Sequence, residues 1–251
     1  MSTTSKNPNG TFIWREIMTP DVAASKRFYG EVFGWKFDEM PMDGFTYTMI
    51  MNGEKGVGGM ASLDSMPGAP PHWIGTVCVA DVDTSAKLAG DLGGTVMMPP
   101  GDIPGYGRFA VILDPQGAPL TLMCPTGESN GREGPPGLGE FCWEHINTTD
   151  AAGTKAFFGK LLGWEAGTMP AGMEVFTLNG NEVASVSDAP PGAPTHWLTY
   201  VVVDELASAR GRVTNNGGKV ILEEQPVPGI GTFSVVTDNV GATLCLFKGQ
   251  G

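Results

Sequence analysis

The sequence predicts an α+β fold: four βαβββ modules in two tandem domains. Three observations carry the prediction. The chain has 251 residues, which suits two domains better than one. The stretch "FIWREIMTPDVAASKRFYGEVFGW" from Phe12 is echoed 129 positions later by "FCWEHINTTDAAGTKAFFGKLLGW" from Phe141, and "PGAPPHWIGTVCV" from Pro67 is echoed 124 positions later by "PGAPTHWLTYVVV" from Pro191. Within each half, apolar runs follow one order twice: a strand, a helix, then three strands.

The elements follow in order. Phe12 to Met18 reads as a strand. Thr19 is placed to cap a helix with Pro20 at its first position, where the missing N–H costs little. Ala24, Phe28 and Val32 recur every four residues and give that helix one apolar face, and Gly34 is placed to end it. Trp35–Met40, Phe45–Met51 and Val57–Ser62 alternate as three strands. The pattern then restarts, with a strand over His72–Val79, a helix over Asp81–Leu92 stopped by Gly93-Gly94, and strands over Thr95–Met98, Tyr106–Leu113 and Pro119–Cys124. Asp114-Pro115-Gln116-Gly117 suits the tight turn between the last two.

"IPGYGRFAVILDPQGAPLTL" from Ile103 recurs as "VPGIGTFSVVTDNVGATLCL" from Val227, so the second half repeats both modules. The domains are expected at 11–124 and 141–248. Residues 125–140, rich in Gly, Pro and charge, read as the linker.

Composition narrows the function. With 27 Asp and Glu against 15 Lys and Arg, the net charge is −12, which disfavours phosphate backbones and anionic membrane surfaces. The opening "MSTTSKNPNG" lacks the marks of a secretory signal and no apolar run is long enough to span a bilayer, so a cytoplasmic protein is expected. The four cysteines, Cys78, Cys124, Cys142 and Cys245, show no CxxC spacing and read as reduced, buried thiols. The expected partner is a small molecule, with neither nucleic acid nor membrane, on a monomer or homodimer.

Doubled βαβββ modules with "FYGEVFGW" ending the first helix and "DPQGAPLTL" in the last hairpin resemble the glyoxalase / bleomycin-resistance / extradiol-dioxygenase superfamily, the vicinal oxygen chelate proteins. The two-domain form is similar to actinobacterial proteins labelled hydroxylase-like or glyoxalase-like. The resemblance implies modules paired into two tandem glyoxalase-like domains with curved mixed sheets around a cleft and, in metal-dependent members, His, Gln or Glu ligands on the first and last strands of each module. Here those positions fall on Trp14 and Trp143, Met60 and Ala184, Ile74 and Leu198, and Thr121 and Cys245, which do not supply the expected ligand set.

The expected cofactor is therefore none, with a divalent metal ion as the alternative, held by displaced ligands His145, His196 and Glu182. Strand alternation makes Trp14, Tyr47, Met49 and Met60 ligand-binding candidates in the first half and Trp143, Phe176 and Tyr200 in the second. Glu16 and His145 are the candidate acid or base groups. His72 and His196, each followed by Trp, are expected to hydrogen-bond loop backbone while the indole fills space under the sheet. The leading reading is metal-free binding of a hydrophobic or aromatic molecule. The alternatives are a metal-dependent lyase or dioxygenase, and a metal-free acid/base enzyme.

Overall fold

The computed structural model describes residues 9–42, 45–64, 66, 68–127, 134–169 and 172–250. The opening residues 1–8, part of a strand connection (43–44) and the middle of the expected linker (128–133) lie outside them.

Sixteen strands and four helices form among the described residues. In the first repeat they are β1 (Phe12–Thr19), α1 (Val22–Phe33), β2 (Lys36–Met42), β3 (Phe45–Asn52), β4 (Lys55–Ser62), β5 (His72–Cys78), α2 (Val82–Asp91), β6 (Thr95–Ile103), β7 (Gly107–Leu113) and β8 (Pro119–Pro125). The second repeat runs β9 (Phe141–Thr148), α3 (Ala151–Leu162), β10 (Glu165–Thr168), β11 (Glu174–Leu178), β12 (Asn181–Asp188), β13 (His196–Val202), α4 (Leu206–Asn215), β14 (Lys219–Val227), β15 (Gly231–Thr237) and β16 (Thr243–Gly249). These are the four βαβββ modules. Two eight-stranded mixed sheets result, ordered β2-β3-β4-β1-β5-β8-β7-β6 and β10-β11-β12-β9-β13-β16-β15-β14.

The first helix starts later than its sequence suggests. Asp21, with Thr19 and Pro20 before it, is the N-cap, its carboxylate accepting from Ala24 N at 2.8 Å. Thr19 instead closes β1, buried, with its hydroxyl 2.7 Å from Ser25 Oγ. A carboxylate is the stronger acceptor for the bare N–H groups of a first turn, and Asp150 repeats the arrangement on Gly153 N. Gly34 ends α1 at φ 73°, a left-handed conformation that glycine adopts without strain. Asp114 closes the β7–β8 turn as expected, accepting from Gln116 N and Ala118 N.

Packing groups the modules differently from the chain order. Among the described residues, one compact unit takes 9–13, 74–127 and 144–197; the other takes 14–73, 134–143 and 198–250. In the first unit, Phe158, Trp164, Phe176 and Trp197 form an aromatic centre with Phe12 packed against it, backed by Val77, Ile112, Leu120 and Leu122. In the second, Tyr29, Trp35, Trp73 and Phe141 play the same part beside Ile17, Ile50, Met60 and Leu246. Aromatic side chains bury the most area per residue, which lets each small module hold its helix. No helix among the described residues is long and apolar enough to cross a membrane.

Candidate functional site

β1 has two faces. Ile17 and Thr19 are buried toward the helix side, while Trp14 and Glu16, two residues apart, share the other. β4 runs parallel beside β1 with Glu16 opposite Gly59 and Ile17 opposite Met60. Across Gly59, β3 delivers Tyr47. An ideal Cβ on Gly59 would lie 1.7 Å from the Tyr47 phenol oxygen and 3.2 Å from Trp14 Nε1, so only glycine leaves room for the phenol. Tyr47 uses that room to donate to Glu16 Oε1 at 2.7 Å, while Trp14 Nε1–H donates to the Tyr47 oxygen at 2.9 Å. Met49 and Trp14 both border Gly56, within 3.6 Å of where its Cβ would be.

The result is a chain Trp14 → Tyr47 → Glu16 on an apolar face. Burial raises the Glu16 carboxyl above its ordinary value, and the Tyr47 hydrogen bond offsets part of the rise. Among the described residues no lysine or arginine pairs with it.

Met60 is not part of this face. It is fully buried in the core beside Ile17 and Ile50, because the parallel register sets Gly59, and not Met60, against Glu16. Phe176 is likewise a core residue, packed on Phe158 and Trp164. It pairs with buried Ala184, and a bulge follows between Phe176 and Thr177. Both candidates sit one residue out of phase, and a one-residue slip sends a side chain to the opposite face.

In the second repeat, β9 and β12 pair with His145 opposite Ser185 and Asn147 opposite Ser187. His145 Nδ1 lies 2.7 Å from Ser185 Oγ, and its Nε2 lies 3.1 Å from Asn147 Oδ1 and 3.0 Å from Ser187 Oγ. Asn147 Nδ2 reaches His196 Nε2 at 3.2 Å, and His196 Nδ1 meets the Pro194 carbonyl at 2.8 Å. That carbonyl can only accept, so His196 carries its proton on Nδ1 and accepts at Nε2 from the Asn147 amide. Asn147 Oδ1 then accepts from His145 Nε2–H, which leaves His145 Nδ1 to accept from Ser185. Burial, with some repulsion from His196, lowers His145 to about 4. It is neutral at neutral pH and a weak base.

His72 also bonds a proline carbonyl, Pro70 O at 2.8 Å. Trp73 and Trp197 are both buried in the cores. The repeated His-Trp pair is thus a feature of strand entry, and among the described residues only His196 is drawn into a side-chain network.

The structure therefore brings His145 and His196 together, but through an amide. Glu182 is exposed near the start of β12, opposite Thr177, and Cys245 is buried in an apolar cluster with Leu198 and Tyr200. Among the described residues no three His, Cys, Asp or Glu side chains gather. Both ring nitrogens of His145 are already engaged by hydroxyl and amide groups. A catalytic divalent ion draws on about three protein donors with an open position, and the residues present do not fit one.

Trp143 and Tyr200 occupy an apolar cluster of their own. Leu198, Tyr200 and Cys245 are buried there, with Trp143, Phe233, Val235 and Phe247 packed against them, and the Tyr200 and Phe233 rings meet edge-on at 5.2 Å. Asn147, Ser185, Ser187 and Gly59 are the site residues that reading the sequence missed. The alternation of Ser185 and Ser187 in "NEVASVSD" is their one signal, and it acquires meaning only once β12 is laid beside β9.

A family profile described as "Bleomycin resistance protein-like N-terminal" matches residues 11–51. The chain is 32% identical over 260 residues to the glyoxylase-named protein CFP32 of Mycobacterium tuberculosis, covering 97% of each. It is 28% identical to the anthracycline biosynthesis protein DauV of Streptomyces sp. strain C5, covering 87% of this chain and 85% of that one. Among solved structures, the Mn(II)-bound glyoxalase of Novosphingobium aromaticivorans superposes with a TM-score of 0.64 at 15% identity, over 96% of this chain and 82% of that one.

Proposed function

Because this chain belongs to the glyoxalase / bleomycin-resistance / extradiol-dioxygenase (vicinal oxygen chelate) superfamily, we propose that it is a cytoplasmic small-molecule protein. On this reading it binds a hydrophobic or aromatic ligand, without a metal ion, against Trp14, Glu16, Tyr47 and Met49. The observation that carries the reading is the hydrogen-bonded Trp14–Tyr47–Glu16 chain, a single oriented polar group on an otherwise apolar and aromatic face. Ligand sites are built this way: apolar walls supply affinity and one placed polar group supplies orientation.

Two further points support it. The donor sets on both repeats suit hydrogen bonding better than a cation. Two relatives are named for anthracycline biosynthesis, and anthracyclines are flat fused-ring molecules. The face of Trp143 and Tyr200 offers a second aromatic surface in the other repeat, the two repeats running over 11–124 and 141–248.

Titration with fluorene, a flat tricyclic hydrocarbon, tests the reading through quenching of tryptophan fluorescence. Saturable binding that Trp14→Ala abolishes is expected, and no saturable binding of fluorene or any related polycycle would refute it. A second reading, metal-free acid/base catalysis, is favoured by the raised Glu16 carboxyl, since such a group exchanges protons closer to neutral pH. It requires turnover that Glu16→Gln abolishes. Stoichiometric iron, manganese, nickel or zinc in untagged protein, lost in His145→Ala, would replace both readings with metal-dependent chemistry.

A further inference from the structure

The protons on the first-repeat face can be assigned from geometry. An indole N–H only donates, so the Tyr47 oxygen accepts from Trp14, and the phenol in turn donates to Glu16 Oε1 at 2.7 Å. Oε1 is therefore an acceptor, committed inside the protein. Any proton that Glu16 holds sits on Oε2, and Oε2 is the atom left to meet a ligand. The surroundings favour the protonated acid: Trp14 shares its strand face, the bare Gly59 lies opposite it, no cation pairs with it among the described residues, and burial raises the carboxyl above its ordinary value.

We propose that Glu16 selects aromatic ligands bearing a neutral carbonyl, which takes a hydrogen bond from Oε2–H while Oε1 stays tied to Tyr47. The inference rests on the proposed binding face and adds the chemistry of the group that the ligand presents. An aromatic ketone or quinone satisfies it, because its oxygen accepts and carries no charge. A carboxylate is disfavoured because it must give up its hydration on an apolar face to reach the same proton, a cost a neutral carbonyl does not carry. A phenol oxygen is a weaker acceptor than a ketone oxygen, and a protonated amine, with donors only, would call for a carboxylate. Tyr47 is a positioning residue here: it fixes which oxygen faces inward.

The test compares three flat tricyclic probes by equilibrium dialysis: fluorene, 9-fluorenone with one carbonyl acceptor, and 2-hydroxyfluorene with a phenol donor. The wild type is expected to bind fluorenone about fivefold or more tighter than fluorene, the worth of one hydrogen bond. Glu16→Gln should keep the preference, because its amide oxygen still accepts from Tyr47 while its NH₂ donates where Oε2–H did. Glu16→Met, similar in size with no donor, should bring the two affinities together. Equal wild-type affinities, a preference that survives in Glu16→Met, or a phenol that outranks fluorenone would each overturn the inference and leave the binding face standing. If none of the three probes binds, the underlying reading fails as well.

Discussion

The two repeats place different side chains at equivalent positions, and the exchange shows in the core as well as on the open face. In the core of one unit, Trp73 Nε1 donates to Tyr29 Oη at 3.0 Å and Tyr29 donates to Asp238 Oδ2 at 2.8 Å. In the other unit the equivalent residues are Trp197, Phe158 and Asp114. The ring centroids lie at nearly the same distance, 5.6 Å between Phe158 and Trp197 against 5.4 Å between Tyr29 and Trp73, with interplanar angles of 57° and 77°. With no hydroxyl on Phe158, however, Trp197 Nε1 and Asp114 Oδ2 are both buried without a partner. On the open face, Glu16, Met18 and Gly59 in the first repeat stand where His145, Asn147 and Ser185 stand in the second. One face holds an acid backed by aromatic groups, the other a closed network of neutral groups. A duplicated scaffold keeps its packing and is free to change polar chemistry one position at a time.

Making the repeats alike should expose these differences. Tyr29→Phe gives the second unit the defect of the first, stranding Trp73 Nε1 and Asp238 Oδ2. A loss of about 3 to 4 kcal/mol in urea unfolding is expected from two buried groups left unpaired. Next in size is the acid response of the second repeat. His145 titrates at about 4 in the folded chain against an ordinary value of 6.5, so the unfolded chain takes up the proton first as pH falls. Stability present above pH 6.5 is then lost toward pH 4, by up to about 3 kcal/mol, and His145→Gln should flatten that limb of the profile.

Gly59→Ser copies the second repeat's residue into the first. Its Cβ would displace the Tyr47 phenol, and we expect about 2 kcal/mol of destabilisation together with loss of the Trp14-dependent binding. Phe158→Tyr runs the core exchange in reverse and should stabilise by about 1 kcal/mol, two hydrogen bonds gained against the cost of one added atom in a packed core. The smallest effect is the alkaline counterpart of the His145 limb. With its folded value raised, Glu16 contributes stability that is complete below its ordinary 4.5 and fades as pH rises through the folded value. Glu16→Gln should remove that slope, opposite in sign to the one at His145.

Much of the site was legible in the sequence and a definite part was not. Trp14, Glu16, Tyr47 and Met49 share a face because strands β1 and β3 alternate regularly, and the sequence carries that period. Met60 and Phe176 fell on the wrong face because alternation within a strand leaves its phase against the neighbour open. A parallel pairing and a bulge set that phase. The tight turn at Asp114 to Gly117 was readable because it is local, whereas the Tyr29–Asp238 bond joins residues 209 positions apart.

The sequence by itself determined the duplication, the order of strands and helices, the helix faces and the family. These rest on interactions within about one turn or one hairpin, or on direct copying of one half into the other. Tertiary structure alone decided which modules share a core, that Gly59 must be bare for Tyr47 to reach Glu16, and that Asn147 ties His145 to His196. Those outcomes depend on register between strands and on contacts across the chain, and a shift of one residue in register would have reversed the faces without altering the sequence pattern.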